Sequence, residues 1–277
     1  MNTQLKTYIS SFKLDRKLIY SILIDAALIL FLYFAVTGSY SMLIQRSLHL
    51  TGGKDADTLR QSLTAAGPQA VIQYLHDLNF FILLVIGGGL LLSLTILLAI
   101  TISRMYLWRI LADYSITKSV FWRWLLLTLL LGLFLLLSVL FILLLKFLLL
   151  ISLQKLFADP QYLFFIVQFC IYFVILLIVM MLFLVHYSFT QKLRIGSSMS
   201  YLVHLIRHNY SSLWKAFLFI LGTAYLLGAI LFAISYFASL QESTVVIISA
   251  ILSLLFLSWI RIYLLKVVSG HQQTIFT

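Results

Sequence analysis

The chain has 277 residues, of which 63% are hydrophobic and 10% charged, with a mean hydropathy of +1.09. A soluble globular chain carries roughly 25% charged residues, so water is excluded as the solvent for most of this surface. The net charge of +11 does not point to nucleic acid, because the 19 lysines and arginines lie between apolar runs rather than in one patch.

Six stretches reach the roughly 20 apolar residues that a helix needs to cross a bilayer core: residues 18–37, 78–102, 125–151, 162–187, 216–238 and 244–264. They predict an all-α polytopic transmembrane bundle, one membrane domain over residues 1–277, with amphipathic interfacial helices between spans. The first span follows a 17-residue basic lead. A signal peptide is the competing reading, but the apolar run is long for one and "AVTGSYS" is a poor cleavage site, so the span is expected to be retained.

Within that first span stands Asp25, about 10 Å below the boundary at Leu18. A carboxylate at that depth must be protonated, face water or pair with a cation. Arg261, in the sixth span, is the expected partner, with Arg104 and Lys266 in reserve; a neutral acid hydrogen-bonded to Ser21 is the alternative.

Residues 38–77 form the one sizeable segment between spans on their side. "TGGKDADTLRQSL" reads as a glycine turn, an aspartate N-cap and a short helix; "AAGPQAVIQYLHD" stops that helix and restarts another with Pro68 in its first turn. The segment is expected to be a helical cap resting on the bundle. Pro160 marks the start of the fourth span in the same way. In the second span, "VIGGGLLL" places Gly87, Gly88 and Gly89 mid-helix, and Ala224 and Gly228 repeat the small-residue theme in the fifth, both read as helix-packing positions.

"YLWRILADYS" (106–115) and "YLVHLIRHNYS" (201–211) look alike, and each reads as an amphipathic helix in the interface. The second projects His204, Arg207, His208 and Ser211 from one face. With Arg194 and Lys215 beside it, this face is expected to contact anionic lipid head groups. His204 and His208 have a metal-binding spacing, but "HLIRH" lacks the glutamate of the metalloprotease motif and no third ligand is apparent. No metal or cofactor is expected. Cys170, the single cysteine, reads as a small apolar core residue.

Lysine and arginine divide fourteen to five between the two sets of flanking segments, which places both termini in the cytoplasm. All five tryptophans fall near that same boundary and are expected to act as interfacial anchors. Only Asp15, Asp25 and Asp113 are acidic on that half, and no phosphate loop, nucleophile elbow or CxxC occurs, so an enzyme is not expected. A lipid-modifying enzyme would require a phosphate pocket among Arg194, Arg207 and Lys215.

The layout, together with "SFTQKLRIGSSMSYLVHLIRHNYSSLWKAF" (188–217), resembles uncharacterised prokaryotic six-helix membrane families, among them the membrane domain attached to some glycerophosphodiester phosphodiesterases. The resemblance implies a six-helix fold and carries over no functional residue; no phosphodiesterase domain lies within these residues. The expected role is non-catalytic, organising or assisting protein partners or lipids in the cell membrane, with a membrane-protein partner or a second copy of the chain as candidate associates. A small-solute transporter or permease subunit using Asp25 is the alternative.

Overall fold

A computed structural model of the chain describes residues 3–12, 15–154, 160–237 and 241–273. Lys13 and Lys155, counted in the charge asymmetry, and residues 155–159 and 239–240 of the two short links at 152–161 and 239–243 lie outside these residues. Helix makes up 94% of the described residues and none of them is in a strand, so the fold is all-α. Nine helices are seen among them: α1 (Thr3–Ser11), α2 (Arg16–Thr51), α3 (Ala56–Ala66), α4 (Pro68–Ala112), α5 (Lys118–Gln154), α6 (Pro160–Lys192), α7 (Ile195–His208), α8 (Tyr210–Phe237) and α9 (Glu242–Gln273). Six of them, α2, α4, α5, α6, α8 and α9, are long and apolar enough to cross a membrane. The chain is a multi-pass membrane protein.

Helix ends follow local chemistry. At the end of α2, Gly52 and Gly53 take φ of 59° and 71°, a left-handed conformation that costs glycine nothing. Asp55 then caps α3, its carboxylate accepting from the Thr58 N–H at 2.8 Å and from the Thr58 hydroxyl. Those bonds, the side-chain one foremost, hold the Asp55 carboxyl below its ordinary pKa. Gly67, at φ 88°, precedes Pro68 at the first position of α4. The predicted cap is thus shorter than its 38–77 span: α2 continues to Thr51, α4 begins at Pro68, and only α3 is separate. None of the α3 residues is fully buried, while Leu59 and Leu63 are half-buried.

The largest departure from expectation concerns residues 106–112. They form no separate interfacial helix but the last two turns of α4, a rod about 68 Å long at 1.5 Å per residue. No proline or glycine occurs between Leu90 and Ala112 to break the helix. The rod stops where Asp113 turns to φ 50° and its N–H closes back on the Arg109 carbonyl at 2.9 Å. The companion segment behaves as predicted, because Leu193 takes φ 51° and separates α6 from a distinct α7. Arg123 holds that junction, donating to the Leu193 carbonyl at 2.9 Å.

By contact the chain divides into two compact units, Met1–Asp25 with Ser103–Thr277, and Ala26–Ile102. The first holds the main core, built on Trp108, Trp124, Leu127, Phe189, Phe217 and Tyr263, all at most 1% exposed. A smaller cluster of Leu163, Val167 and Ile171 joins α6 to α5. The second unit is sparsely packed. Its glycines 87–89 would meet no atom within 4 Å if given a Cβ, and the same holds for Gly228 in the first unit. Among the described residues of each glycine's own unit, no side chain or neighbouring helix comes within 4 Å of a Cβ added at any of these positions.

Candidate functional site

The intramembrane carboxylate sits among three helices of the first unit. Asp25 lies nine residues into α2; Arg104 lies on the last turns of α4, and Arg261 in the second half of α9. Arg261 Nη2 is 3.0 Å from Asp25 Oδ2, and Arg104 Nη1 is 2.8 Å from Asp25 Oδ1. The sequence offered these arginines as alternatives, yet both bind, one on each oxygen. Ser258 adds a longer contact to Oδ2 at 3.4 Å. Ser21 takes another part, accepting from Arg261 Nη1 at 2.5 Å. Lys266 points elsewhere, donating to the Ser10 carbonyl at 2.8 Å.

Burial grades the cluster. The Arg261 side chain is 2% exposed, Asp25 9% and Arg104 26%, so Arg261 is the group with no access to water and the greatest need of a counter-charge. Its guanidinium lies 5.1 Å from the Phe183 ring centre, a cation–π contact. The Nε atom of Arg261 is buried without a hydrogen-bond partner. Beside it is a cavity of about 10 Å³, walled by Trp108, Phe183, Tyr187 and Leu265, which holds at most one water. Two guanidiniums against one carboxylate leave the cluster with one positive charge in excess. Chemically the arrangement is a clasp, since both oxygens of the acid are engaged.

Sequence reasoning passed over His186, although an ionisable group inside an apolar span is itself a signal. Its ring stacks on Trp108 and Trp124, with centroids 6.0 and 5.7 Å away. Nδ1 lies 2.7 Å from the Leu182 carbonyl, and a carbonyl only accepts, so Nδ1 carries the proton. Also missed was α1, read as a mere basic lead. Tyr8 stacks on Phe219 and meets Trp259 and Tyr263 edge-on, and its hydroxyl is 2.8 Å from Thr223 Oγ1. Trp259 Nε1 donates to Ser11 Oγ at 2.9 Å. The aromatic i, i+4 pair Tyr8 and Phe12 was the available signal.

The tryptophan expectation is corrected in the same region. Trp122 and Trp214 are exposed, as anchors would be, whereas Trp108, Trp124 and Trp259 are 1%, 0% and 5% exposed and belong to the core. The densest packing lies near span ends, where the sequence also expects interfacial residues, and sequence position alone does not separate the two uses.

Of the predicted head-group contacts, Arg194, His204, Arg207, His208 and Lys215 are all exposed. His204 and His208 stack at 5.9 Å on α7, while Ser198, Leu202 and Leu205 turn the opposite face inward. Arg194 stands at the N-cap position of α7 without a side-chain capping bond, and Lys215 belongs to α8. Among the described residues no group of three or more His, Cys, Asp or Glu side chains is placed to share a metal ion. Cys170 is half-buried on α6. Comparison with protein families, curated proteins and solved structures finds no match to this chain.

Proposed function

We propose that this chain is a non-catalytic protein of the cell membrane that organises or assists protein partners or lipids in the bilayer plane, with both termini cytoplasmic. The observation that carries this reading is the occupancy of Asp25: each carboxylate oxygen holds a guanidinium, and the adjoining cavity has room for one water at most. A carboxylate that relays a coupling proton must release its cation and meet water in each cycle. A clasp instead fixes the rotation of α2, α4 and α9 against one another, as a scaffold needs. The exposed cationic face of α7 supports a role against anionic head groups.

The test uses full-length protein extracted in mild detergent. Native mass spectrometry should show a protein partner, a second copy or lipid retained at fixed stoichiometry, and liposomes containing the protein should pass no proton current. A proton or solute flux that Asp25→Asn abolishes would establish the transporter reading instead. Orientation is checked with cysteines placed singly at Lys54 and Lys118 in a Cys170→Ser background, which should label from opposite sides, Lys118 from within.

A further inference from the structure

A second feature of the first unit lies away from both the clasp and the cationic face of α7. A cleft of about 420 Å³ opens where the first turn of α2 meets the ends of α4, α6 and α9; its polar lining comprises Asp15, Lys17, Gln191, Lys266 and Ser269. These four helix ends share one side of the membrane whichever way the protein is oriented, because they are the start of the first span and the ends of the second, fourth and sixth. The cleft therefore stands at a membrane–water boundary. Its volume is within the ordinary range of ligand sites.

We propose that this cleft binds the phosphate of an anionic glycerophospholipid. Lys17 Nζ reaches the Leu111 carbonyl at 3.4 Å and Lys266 Nζ reaches the Ser10 carbonyl at 2.8 Å, so each ammonium is fixed at the C-terminal end of a helix, α4 and α1 respectively. Neither is paired with a carboxylate among the described residues. An ammonium has three donors, and one carbonyl each leaves donors for phosphate oxygens. Asp15, the single acid of the lining, is likewise without an ion pair there and offers an acceptor to a head-group hydroxyl. Leu111, Ile262 and Leu265 supply an apolar wall, which suits the glycerol and upper acyl chain of a lipid and gives nothing to a free phosphate.

The cleft also touches the clasp. Tyr187 and Leu265 line both the cleft and the 10 Å³ cavity on which the 2%-exposed Arg261 abuts, its Nε without a hydrogen-bond partner. Only those two side chains are common to both linings, so the net positive cluster lies next to the cleft rather than within it. The site needs only that the protein spans a membrane and does not depend on the role proposed above.

The test titrates the full chain, in dodecyl maltoside, with phosphatidylglycerol, with phosphatidylcholine and with glycerol 3-phosphate, followed by native mass spectrometry. Phosphatidylglycerol should be retained in preference to phosphatidylcholine. Replacing both cations, Lys17→Gln with Lys266→Gln, should weaken its binding about 30-fold, the loss expected for two cations near a head group. Because those lysines also cap helices, Gln191→Glu provides a second measurement: it places a negative charge in the cleft at an exposed position and should weaken binding too. Lys54→Gln with Arg60→Gln removes two cations elsewhere and should leave binding unchanged. Unaltered phosphatidylglycerol binding in both cleft variants, or no preference over phosphatidylcholine, overturns the site. Glycerol 3-phosphate displacing the lipid at equal concentration overturns the lipid assignment in favour of a soluble phosphate ester.

Discussion

Residues 26–102 are as apolar as much of the rest of the chain: the windows of α2 and α4 have hydropathies of 2.3 and 2.7, against 2.4 for both α8 and α9. Yet Ala26–Ile102 buries two side chains, Leu28 and Thr101, whereas the other unit buries the remainder of the core. What separates the two is residue type. All five tryptophans and both arginines of the clasp belong to the packed unit; the sparse one has no tryptophan, is rich in leucine, and carries its charged residues between spans rather than within them. Lipid tails are as apolar as leucine, so a leucine face in a bilayer gains little by finding a protein neighbour. Aromatic rings with a polar edge and charged groups gain much more. Hydropathy measures fitness for lipid, and packing follows the groups that lipid serves badly.

This contrast can be broken at its strongest point. Asp25→Asn removes the counter-charge of the buried Arg261 and should destabilise the protein by about 4 kcal/mol, within the range for breaking a buried pair, measured by denaturant unfolding in detergent. Replacing Asp25 and Arg261 together by apolar residues should cost less than the sum of the single changes. Additive losses would show that the clasp is not coupled. Arg104, being more exposed, should couple less strongly to Asp25 than Arg261 does.

A second comparison sets aromatic against aromatic. Trp124→Ala, at 0% exposure, should cost about 3 kcal/mol or more. Phe34→Ala, at 67% exposure in the sparse unit, should stay within about 0.5 kcal/mol of the parent. Similar losses at the two positions would mean that the sparse unit is packed in solution by something beyond the single chain.

The sign should reverse at Gly88. Nothing lies within 4 Å of an added Cβ there, so Gly88→Ala should raise helix stability by up to about 1 kcal/mol. A loss would reveal a partner seated on that stripe.

The smallest effect is at Asp55, on the segment between α2 and α3. Its carboxyl is held below the ordinary value of 3.8 by the Thr58 bonds, so capping is fully present above that value and is lost as pH falls through the lower folded pKa. The protection of the α3 amides, taken relative to their intrinsic exchange rates at each pH, should fall below about pH 4 in the parent and stay constant in Asp55→Asn. An unchanged acid response would remove the cap from the account.

The six spans, the proline starts, the Asp55 cap and the isolated α7 were legible because each depends on neighbours in sequence. Pairing was legible only in part. Asp25 announced that it needed a cation and Arg261 was within reach, but the simultaneous use of Arg104 depends on the rotation of α4, which no local pattern records. The continuation of α4 through residues 106–112 was obscured by the assumption that a span ends where hydropathy falls, although helix propensity there is undiminished. Core tryptophans and anchoring tryptophans share positions, and α1 was hidden because its docking partners lie more than 200 residues away, as the Tyr8–Thr223 bond illustrates.

That separation imposes an order of events on the clasp. Arg104 follows Asp25 by 79 residues and Arg261 by 236. At a synthesis rate of 5–20 residues per second, the first partner emerges about 4–16 s after the aspartate and the second about 12–47 s after it. Asp25 therefore enters the bilayer ahead of both cations, meets Arg104 first, and waits for α9 to receive its buried one. A nascent chain arrested before α9 displays an unfinished polar site in the membrane, so the contact with Arg261 reports that translation has passed that helix.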